Sequence, residues 1–171
     1  MASVVEPRIE HHPCRALAGI GFFGDPFRTG AGWTEENEIG RLWHRLLGYL
    51  GLPECPYAHP AVFYEVHVRN QVTPVTGEYE VFIGFEPPPA APVPVELCLK
   101  HLPEADYAVF SVRGDQVQGD ECIVDGWLAS AGYEVTTSFG IQRYDHRFLG
   151  LDRLDESELD LMVPLRPRES R

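Results

Sequence analysis

Two stretches share one layout: His101-Leu-Pro-Glu-Ala-Asp-Tyr-Ala-Val-Phe-Ser-Val-Arg-Gly114 and, earlier in the chain, His11-His-Pro-Cys-Arg-Ala-Leu-Ala-Gly-Ile-Gly-Phe-Phe-Gly24. Each is followed by a tract with helical spacing and then by two tracts that alternate like strands. This shared order predicts two copies of one strand-helix-strand-strand module. The residues that recur are His11 with His101, Pro13 with Pro103, Ala18 with Ala108, and Gly24 with Gly114.

The most regular helix signal runs from Thr34 to Leu50. We predict Thr34 as its N-cap and Gly51, followed by Pro53, as its end. The helix of the second copy is less regular and ends at Gly132. Apolar residues form the buried stripe of each helix: Ile39, Leu42, Trp43, Leu46, Leu47 and Leu50 in the first, and Ile123, Val124, Trp127, Leu128 and Ala131 in the second.

Alternation of apolar and polar residues predicts the strands. The run from Arg8 to Phe23 predicts a first strand, and Pro103 breaks the corresponding run of the second copy. The remaining strands are predicted over residues 61–69, 78–85, 138–145 and 158–165. Together these elements predict an α+β fold, in which duplicated strand-helix-strand-strand modules form a curved antiparallel sheet with two helices on one face. Pockets tend to form at the seam between such halves.

Length and composition fit one domain. The chain has 171 residues, of which 44% are hydrophobic, enough to bury a core without staples. We predict a single domain over residues 7–167, built of repeats 7–86 and 95–167 that a Pro-rich connector, 87–94, joins. Residues 1–6 and 168–171 are predicted to be loose termini.

The formal net charge of −12 argues against binding to nucleic acid or to an anionic membrane, since either would require clustered Lys and Arg. A cationic or neutral ligand suits this charge better, although surplus acidic residues on a solvated face also serve solubility alone.

The four cysteines are widely separated and no secretory leader precedes them, which predicts reduced thiols in a cytoplasmic protein. Cys14, Cys98 and Cys122 stand among apolar residues and are predicted to be buried.

Catalytic and cofactor motifs are absent from the sequence. It contains no Gly-rich phosphate loop, no His-Glu-x-x-His and no Gly-x-Ser-x-Gly. We therefore predict no cofactor and no metal, and assign no catalytic residue.

Aromatic residues do interleave with polar ones along the strands, as in Phe63 with Glu65, Glu80 with Phe82, and Gln142 with Tyr144. Such rings are either plain core or a ligand surface, and Glu65 is either a buried pocket carboxylate or an exposed partner for an Arg.

Three segments in this order resemble a known family: Leu102 to Gly114, Trp127-Leu-x-x-x-Gly-Tyr133, and Glu158-Leu-Asp-Leu-Met-Val-Pro-Leu165. They are similar to the gyrase-inhibitory-protein-like small-molecule-binding domain, which is also the effector-binding part of AraC-type and MerR-type transcription regulators. The resemblance extends from about Pro7 to Pro167. It implies an aromatic-lined ligand cleft on the pseudo-two-fold axis that accepts bulky, planar or cationic organic compounds. Without room for a DNA-binding domain, this chain resembles the stand-alone members.

The resemblance also indicates site residues. Many members carry a Glu two residues before the Tyr of the penultimate strand, and here Gln142 stands two residues before Tyr144. An amide cannot neutralise a cation, so Glu65 is the candidate to supply the missing charge. A Tyr frequent in the last strand of the family corresponds to Met162. The predicted ligand-binding residues are Gln142, Tyr144, Met162, Phe82, Tyr64, Glu65 and Trp127.

The leading hypothesis from the sequence is a stand-alone protein that senses or sequesters a hydrophobic, aromatic or cationic compound, linked to transcription regulation or to a multidrug or toxin response. One alternative is a hydrolase of reactive electrophilic compounds, with Glu65 as general base. Another is an inhibitor that binds a protein such as gyrase through its acidic surface. The sequence leaves open whether the protein is an enzyme, a homodimer or the partner of another protein.

Overall fold

The computed structural model describes residues 6–136 and 138–168, apart from the side chains of residues 118–121. Within these residues nine strands form one antiparallel sheet, and three α-helices lie between them. The predicted loose termini fall outside the described residues, except for Glu6 and Arg168. The helices are α1 (Glu38–Leu50), α2 (Thr73–Thr76) and α3 (Asp120–Leu128). The strands are β1 (Arg8–His12), β2 (Arg15–Gly24), β3 (Phe63–Val68), β4 (Tyr79–Phe85), β5 (Cys98–Leu102), β6 (Ala105–Arg113), β7 (Tyr133–Val135), β8 (Phe139–Tyr144) and β9 (Glu158–Pro167).

The order of strands forces the sheet to curl. Across the sheet the order is β1-β6-β9-β8-β3-β4-β2-β5, with β7 beside β9. In a flat sheet β1 and β2 would lie about 29 Å apart, six strand spacings. Only Pro13 and Cys14 join them, which limits the gap from His12 to Arg15 to about 11 Å. The same limit acts between β5 and β6, so the two edges approach each other. The predicted curved antiparallel sheet and α+β class are confirmed.

The first predicted strand is in fact two strands. Residues 8–23 were expected to form one strand, but Pro13 ends β1, and the chain continues as β2 on the far side of the sheet. Pro lacks an N–H for the ladder and fixes its own φ, so it breaks the strand here as Pro103 does between β5 and β6. Each copy therefore contributes one short strand to the edge of the other half.

The duplication is visible as a row of paired residues that crosses six strands. Glu65 of β3 lies directly opposite Gln142 of β8. Outward from this pair, each half repeats the same partners at equivalent positions, so a pseudo-two-fold axis passes between Glu65 and Gln142. The row runs Ile20, Ile83, Glu65, Gln142, Leu161 and Phe110.

Helix α1 begins later than predicted. Its N-cap is Asn37 rather than Thr34, because the buried Asn37 side chain accepts a hydrogen bond from the Gly40 amide at 2.9 Å. Of the predicted buried stripe, Leu42, Leu46 and Leu50 are buried, whereas Leu47 is exposed. A Cβ at Gly40 would lie 2.2 Å from the Thr34 carbonyl oxygen. Only glycine lets the loop before α1 pack this closely against the helix.

Two apolar clusters lie on opposite faces of the sheet. The larger cluster packs α1 and α3 against one face of the sheet, here called the helix side, and includes Phe63, Phe85, Phe110 and Trp127. The smaller cluster lies on the other face, where the sheet curls. Its buried members are Leu17, Tyr64, Val66, Phe82, Leu102, Tyr107, Val109, Ile141 and Met162. Among the described residues, no helix has both the length and the apolar character required to cross a membrane.

The cysteines differ from expectation. Cys14, Cys98 and Cys122 are exposed, and Cys55 is half-buried. Their apolar neighbours predicted burial, but Cys14 lies between β1 and β2, Cys98 begins the edge strand β5, and Cys122 lies in α3.

Asp160 is fully buried on the face opposite the helices. Its carboxylate accepts hydrogen bonds from Ser111 at 2.6 Å, Arg143 at 2.7 Å and Arg147 at 2.8 Å. Burial alone would raise the pKa of Asp160, but these hydrogen bonds outweigh it and lower the pKa to about 2. The buried carboxylate thus holds two guanidinium groups against β8 and β9.

We predict that Asp160→Asn destabilises the fold by about 3 kcal/mol at neutral pH, because two partly buried Arg side chains lose their counter-charge. Since folding lowers the pKa of Asp160, the carboxylate stabilises the protein fully above about pH 4. That contribution is lost as the pH falls to about 2. Urea unfolding at a series of pH values should therefore show the two proteins converging over this range. Asp152→Asn, at an exposed position, is the control, and a constant difference would contradict the prediction.

Candidate ligand-binding site

Glu65 occupies the centre of the sheet on the helix side. Its side chain is 3% exposed, and Gln142, directly opposite, is also buried. Strand alternation places both residues on the face that α1 covers. A carboxylate and an amide thus meet at the pseudo-two-fold axis, where the two halves of the sheet join.

Two side chains donate hydrogen bonds to the Glu65 carboxylate, and the hydroxyl of a third lies beside it. Trp43 Nε1 of α1 lies 2.7 Å from Oε2, and His67 Nε2 lies 2.7 Å from Oε1. The Tyr144 hydroxyl lies 3.4 Å from Oε2 and donates a shorter bond, of 2.6 Å, to Gln142 Oε1. These side chains fix the orientation of the carboxylate in the site.

The hydroxyl of Tyr144 remains a donor at neutral pH. Burial, together with the charge of Glu65 and its hydrogen bond, raises the pKa of Tyr144 well above its ordinary value. The ring packs edge-on against Trp43, with centroids 5.0 Å apart, and against Phe148 at 4.9 Å. Tyr144 thereby links the polar centre of the site to its aromatic wall.

A cavity of about 520 Å³, here called the inner cavity, opens beside Glu65 between the loop before α1, α1 itself and the sheet. Its volume lies within the range of small-molecule sites, which is about 300 to 1,000 Å³. Apolar rings supply much of its surface, and polar groups converge at its floor. Its lining includes Phe27, Trp33, Trp43, Glu65, His67, Arg69, Tyr79, Cys122 and Gln142.

A second cavity of about 660 Å³, the outer cavity, lies on the other side of Trp33, Gly40 and Trp43, which border both spaces. A third, of about 270 Å³, shares His67, Arg69 and Gln142 with the inner cavity and extends along β8 and β9. The outer cavity also contacts His44, Leu47, His59, Ala61, Phe63, Tyr144, Asp145, Phe148 and Leu151.

The residues predicted from the sequence divide between the two faces of the sheet. Glu65 and Gln142 line the inner cavity, and Tyr144 joins them through its hydroxyl. Trp127 lies on the same face but packs in the core between Phe110 and Tyr133. The other three pack in the cluster on the opposite face, although Met162 also borders the third cavity: Tyr64, Phe82 and Met162. Tyr64 adjoins Glu65 in sequence, and Met162 lies opposite Ile141 rather than Gln142, so alternation sends them away from the site.

The sequence prediction missed three residues of the site. Trp43 belongs to the apolar stripe of α1, where an indole reads as core, yet its N–H reaches Glu65. His67 follows Glu65 by two positions and therefore shares its face, a signal that alternation offers. Trp33 lies in an irregular loop, and only the close packing of that loop on Gly40 brings it to the site.

Among the described residues, no group of three or more His, Cys, Asp or Glu side chains could hold a metal ion. The site combines one buried carboxylate, hydrogen-bond donors and aromatic surfaces. Such an arrangement suits recognition of an organic molecule that presents a large apolar surface.

Residues 8–165 match the family model Cass2, described as integron-associated effector binding protein. Because the match covers nearly the whole chain, the chain belongs to this family. It is a small-molecule effector-binding domain, and the resemblance drawn from its sequence is confirmed. None of the curated protein sequences matches it.

Solved structures with the same fold include SAV2435 bound to tetraphenylphosphonium, with a TM-score of 0.64 and 14% identity over 94% of each chain. A putative transcription regulation protein from Staphylococcus aureus MU50 has a TM-score of 0.63 and 15% identity over 95% of this chain and 99% of that one. The C-terminal domain of EcmrR has a TM-score of 0.60 and 12% identity over 95% and 98%. At these identities the likeness establishes the fold.

We predict that Tyr144→Phe lowers the free energy of unfolding by about 1 to 2 kcal/mol, because the buried Gln142 oxygen loses its donor. Urea unfolding at neutral pH measures the change. Tyr133→Phe, in the core beneath α3 and outside this polar cluster, is the matched control. Equal stability of Tyr144→Phe and the parent protein would show that the cluster contributes nothing to the fold.

Proposed function

We propose that the inner cavity binds a bulky aromatic cation and that Glu65 is its counter-charge. The observation that carries this proposal is a carboxylate that is 3% exposed, borders a cavity of about 520 Å³ and accepts hydrogen bonds from Trp43 and His67. A buried carboxylate is costly unless a cation compensates it. A ligand that supplies the cation recovers part of that cost on binding.

Aromatic rings around Glu65 suit the rest of such a ligand. Phe27, Trp33 and Trp43 contribute ring surfaces to the same cavity. Delocalised cations gain both from apolar burial and from attraction to ring faces, the latter by about 0.5 to 2 kcal/mol per contact. An inorganic ion would gain only from the carboxylate, which is why we infer an organic cation.

The position of Glu65 can compensate for Gln142, which stands where many family members carry an acidic residue. Family resemblance places an acidic residue at position 142, whereas Glu65 lies directly opposite it in the neighbouring strand. Because the pseudo-two-fold axis passes between these two positions, a carboxylate on either strand projects into the same region of the cleft. We infer that Glu65 takes over the role that Gln142 lacks.

One Arg and no Lys stands among the described residues that line the inner cavity. Arg69 borders the inner cavity. Its side chain is exposed, so water screens its charge. The net charge of −12 favours the approach of a cation over a distance.

The relatives provide further support. SAV2435 was solved with tetraphenylphosphonium, a bulky aromatic cation, and another structural neighbour is described as a transcription regulation protein. We propose that this chain likewise serves to sense or sequester such compounds, as part of transcription regulation or of a multidrug response.

Tetraphenylphosphonium at about 100 times its Kd should stabilise the protein by about 2.7 kcal/mol. We predict that Glu65→Gln weakens its binding at least about tenfold, or 1.4 kcal/mol, as measured by isothermal titration calorimetry. Glu80→Gln is the matched control, because it removes the same charge from β4 on the face of the sheet opposite to Glu65. Neutral triphenylphosphine oxide should bind both variants equally. Unchanged tetraphenylphosphonium affinity in Glu65→Gln would refute the proposal.

Hydrolysis of an electrophilic ligand in the same cavity is a second candidate function. It is favoured by the hydrogen bond between Glu65 and His67, which places an imidazole beside a carboxylate at the cavity floor. If this function holds, the protein releases diol from styrene oxide over many turnovers, and His67→Gln abolishes the release. Binding of organic cations without product release would favour the first function.

A further inference from the structure

We propose that the outer cavity is a second ligand site, which takes neutral, flat aromatic molecules and does not use the charge of Glu65. Its volume of about 660 Å³ falls in the range typical of small-molecule sites. Glu65 and Gln142 border the inner cavity and are not among the residues that line the outer one. The two spaces therefore differ in chemistry as well as in position.

A wall of two indole rings separates the cavities. Trp33 and Trp43 border both spaces, and Gly40 lies between them in the wall. The wall is held at both ends, because Trp33 Nε1 donates to the Gly114 carbonyl at 3.0 Å and Trp43 Nε1 donates to Glu65 at 2.7 Å. The absence of a Cβ at Gly40 lets the loop that carries Trp33 pack directly on α1. The fold therefore fixes the position of the wall.

The polar ends of the aromatic residues are engaged away from the outer cavity. The indole N–H of Trp43 and the hydroxyl of Tyr144 bind Glu65 and Gln142, on the inner side. The indole N–H of Trp33 is engaged by a backbone carbonyl. Their rings, with those of Phe63 and Phe148, form one network of edge contacts with centroids 4.9 to 6.5 Å apart. What remains to line the outer cavity is mainly ring surface, which binds flat apolar molecules.

Charge in the outer cavity does not favour a cation. Asp145 accepts hydrogen bonds from Arg147 on both carboxylate oxygens, at 2.9 Å and 3.1 Å. Glu35 is exposed to solvent. The histidines His44 and His59 add no negative charge. A neutral ligand loses nothing in this setting, whereas a cation finds no buried counter-charge among the residues that line the cavity.

Access to the outer cavity is apolar as well. Leu47 of α1 and Leu151, together with Leu149, line it and are 38% to 43% exposed. Large apolar side chains exposed around a concave space are typical of a binding site. A small aromatic molecule can therefore reach the ring network without passing the inner cavity.

The test uses N-phenyl-1-naphthylamine, a neutral dye that fluoresces in apolar surroundings, and two variants that fill one cavity each. Ala61 borders only the outer cavity and Ala31 only the inner one, and both are exposed, so neither substitution disturbs the core. We expect Ala61→Trp to weaken dye binding by about tenfold or more. Ala31→Trp should leave the affinity for the dye unchanged.

Competition separates this inference from the proposed function. With the inner cavity saturated by tetraphenylphosphonium, the dye should still bind with its original stoichiometry. Displacement of the dye by the cation, or loss of dye binding in Ala31→Trp rather than Ala61→Trp, would overturn the second site. The protein could instead form a dimer that Ala61→Trp dissociates but the dye leaves intact. That result would also overturn the second site, since a second copy of the chain would then cover the cavity. If tetraphenylphosphonium fails to bind while only Ala61→Trp loses the dye, the proposed function fails and the second site stands.

Discussion

The burial of one carboxylate at the seam between two halves of a sheet is the constraint on which this structure depends. Glu65 is held by Trp43 of α1, by His67 of its own strand and by Tyr144 of the neighbouring strand. Removing a charged group from water is expensive, and hydrogen bonds from the surrounding side chains offset part of that cost. The remaining negative potential is available to a ligand, which connects the packing of the core to binding.

The duplicated architecture explains why the carboxylate lies where it does. The strands β3 and β8 are the innermost of each copy, and their pairing brings equivalent positions together at the axis. The exchange of β1 and β5 between the halves curls the sheet and ties each half to the other. Helix α1 and the loop before it then roof one face, and the indoles of Trp33 and Trp43 divide the space beneath into an inner and an outer cavity. One scaffold thus offers two environments, one charged and one apolar.

Much of the fold could be predicted from the sequence, because it follows from local periodicity. The stripe of α1, the alternating faces of β3 and β8, and the duplication itself were all accessible in this way. The N-cap at Asn37 was not, since it depends on a hydrogen bond to Gly32 across a loop. The pairing of β1 with the other half of the sheet could not be predicted either, because a Pro marks a break in a strand without indicating where the next strand pairs. Within the site, alternation put Glu65 on one strand face with Phe63 and His67, and Gln142 with Tyr144, but it could not indicate which face the helices cover. Family position alone grouped Met162 with them, and pairing with Ile141 places it on the other face.

The most direct test of the central claim is to move the carboxylate across the axis. The double variant Glu65→Gln with Gln142→Glu restores the same charge on the opposite strand, a place directly facing the original one. Calorimetry with tetraphenylphosphonium should give an affinity within about threefold of the parent protein, a difference of less than 1 kcal/mol. An affinity as weak as that of Glu65→Gln alone would contradict the account, because the charge at the axis would then not be what binds the cation.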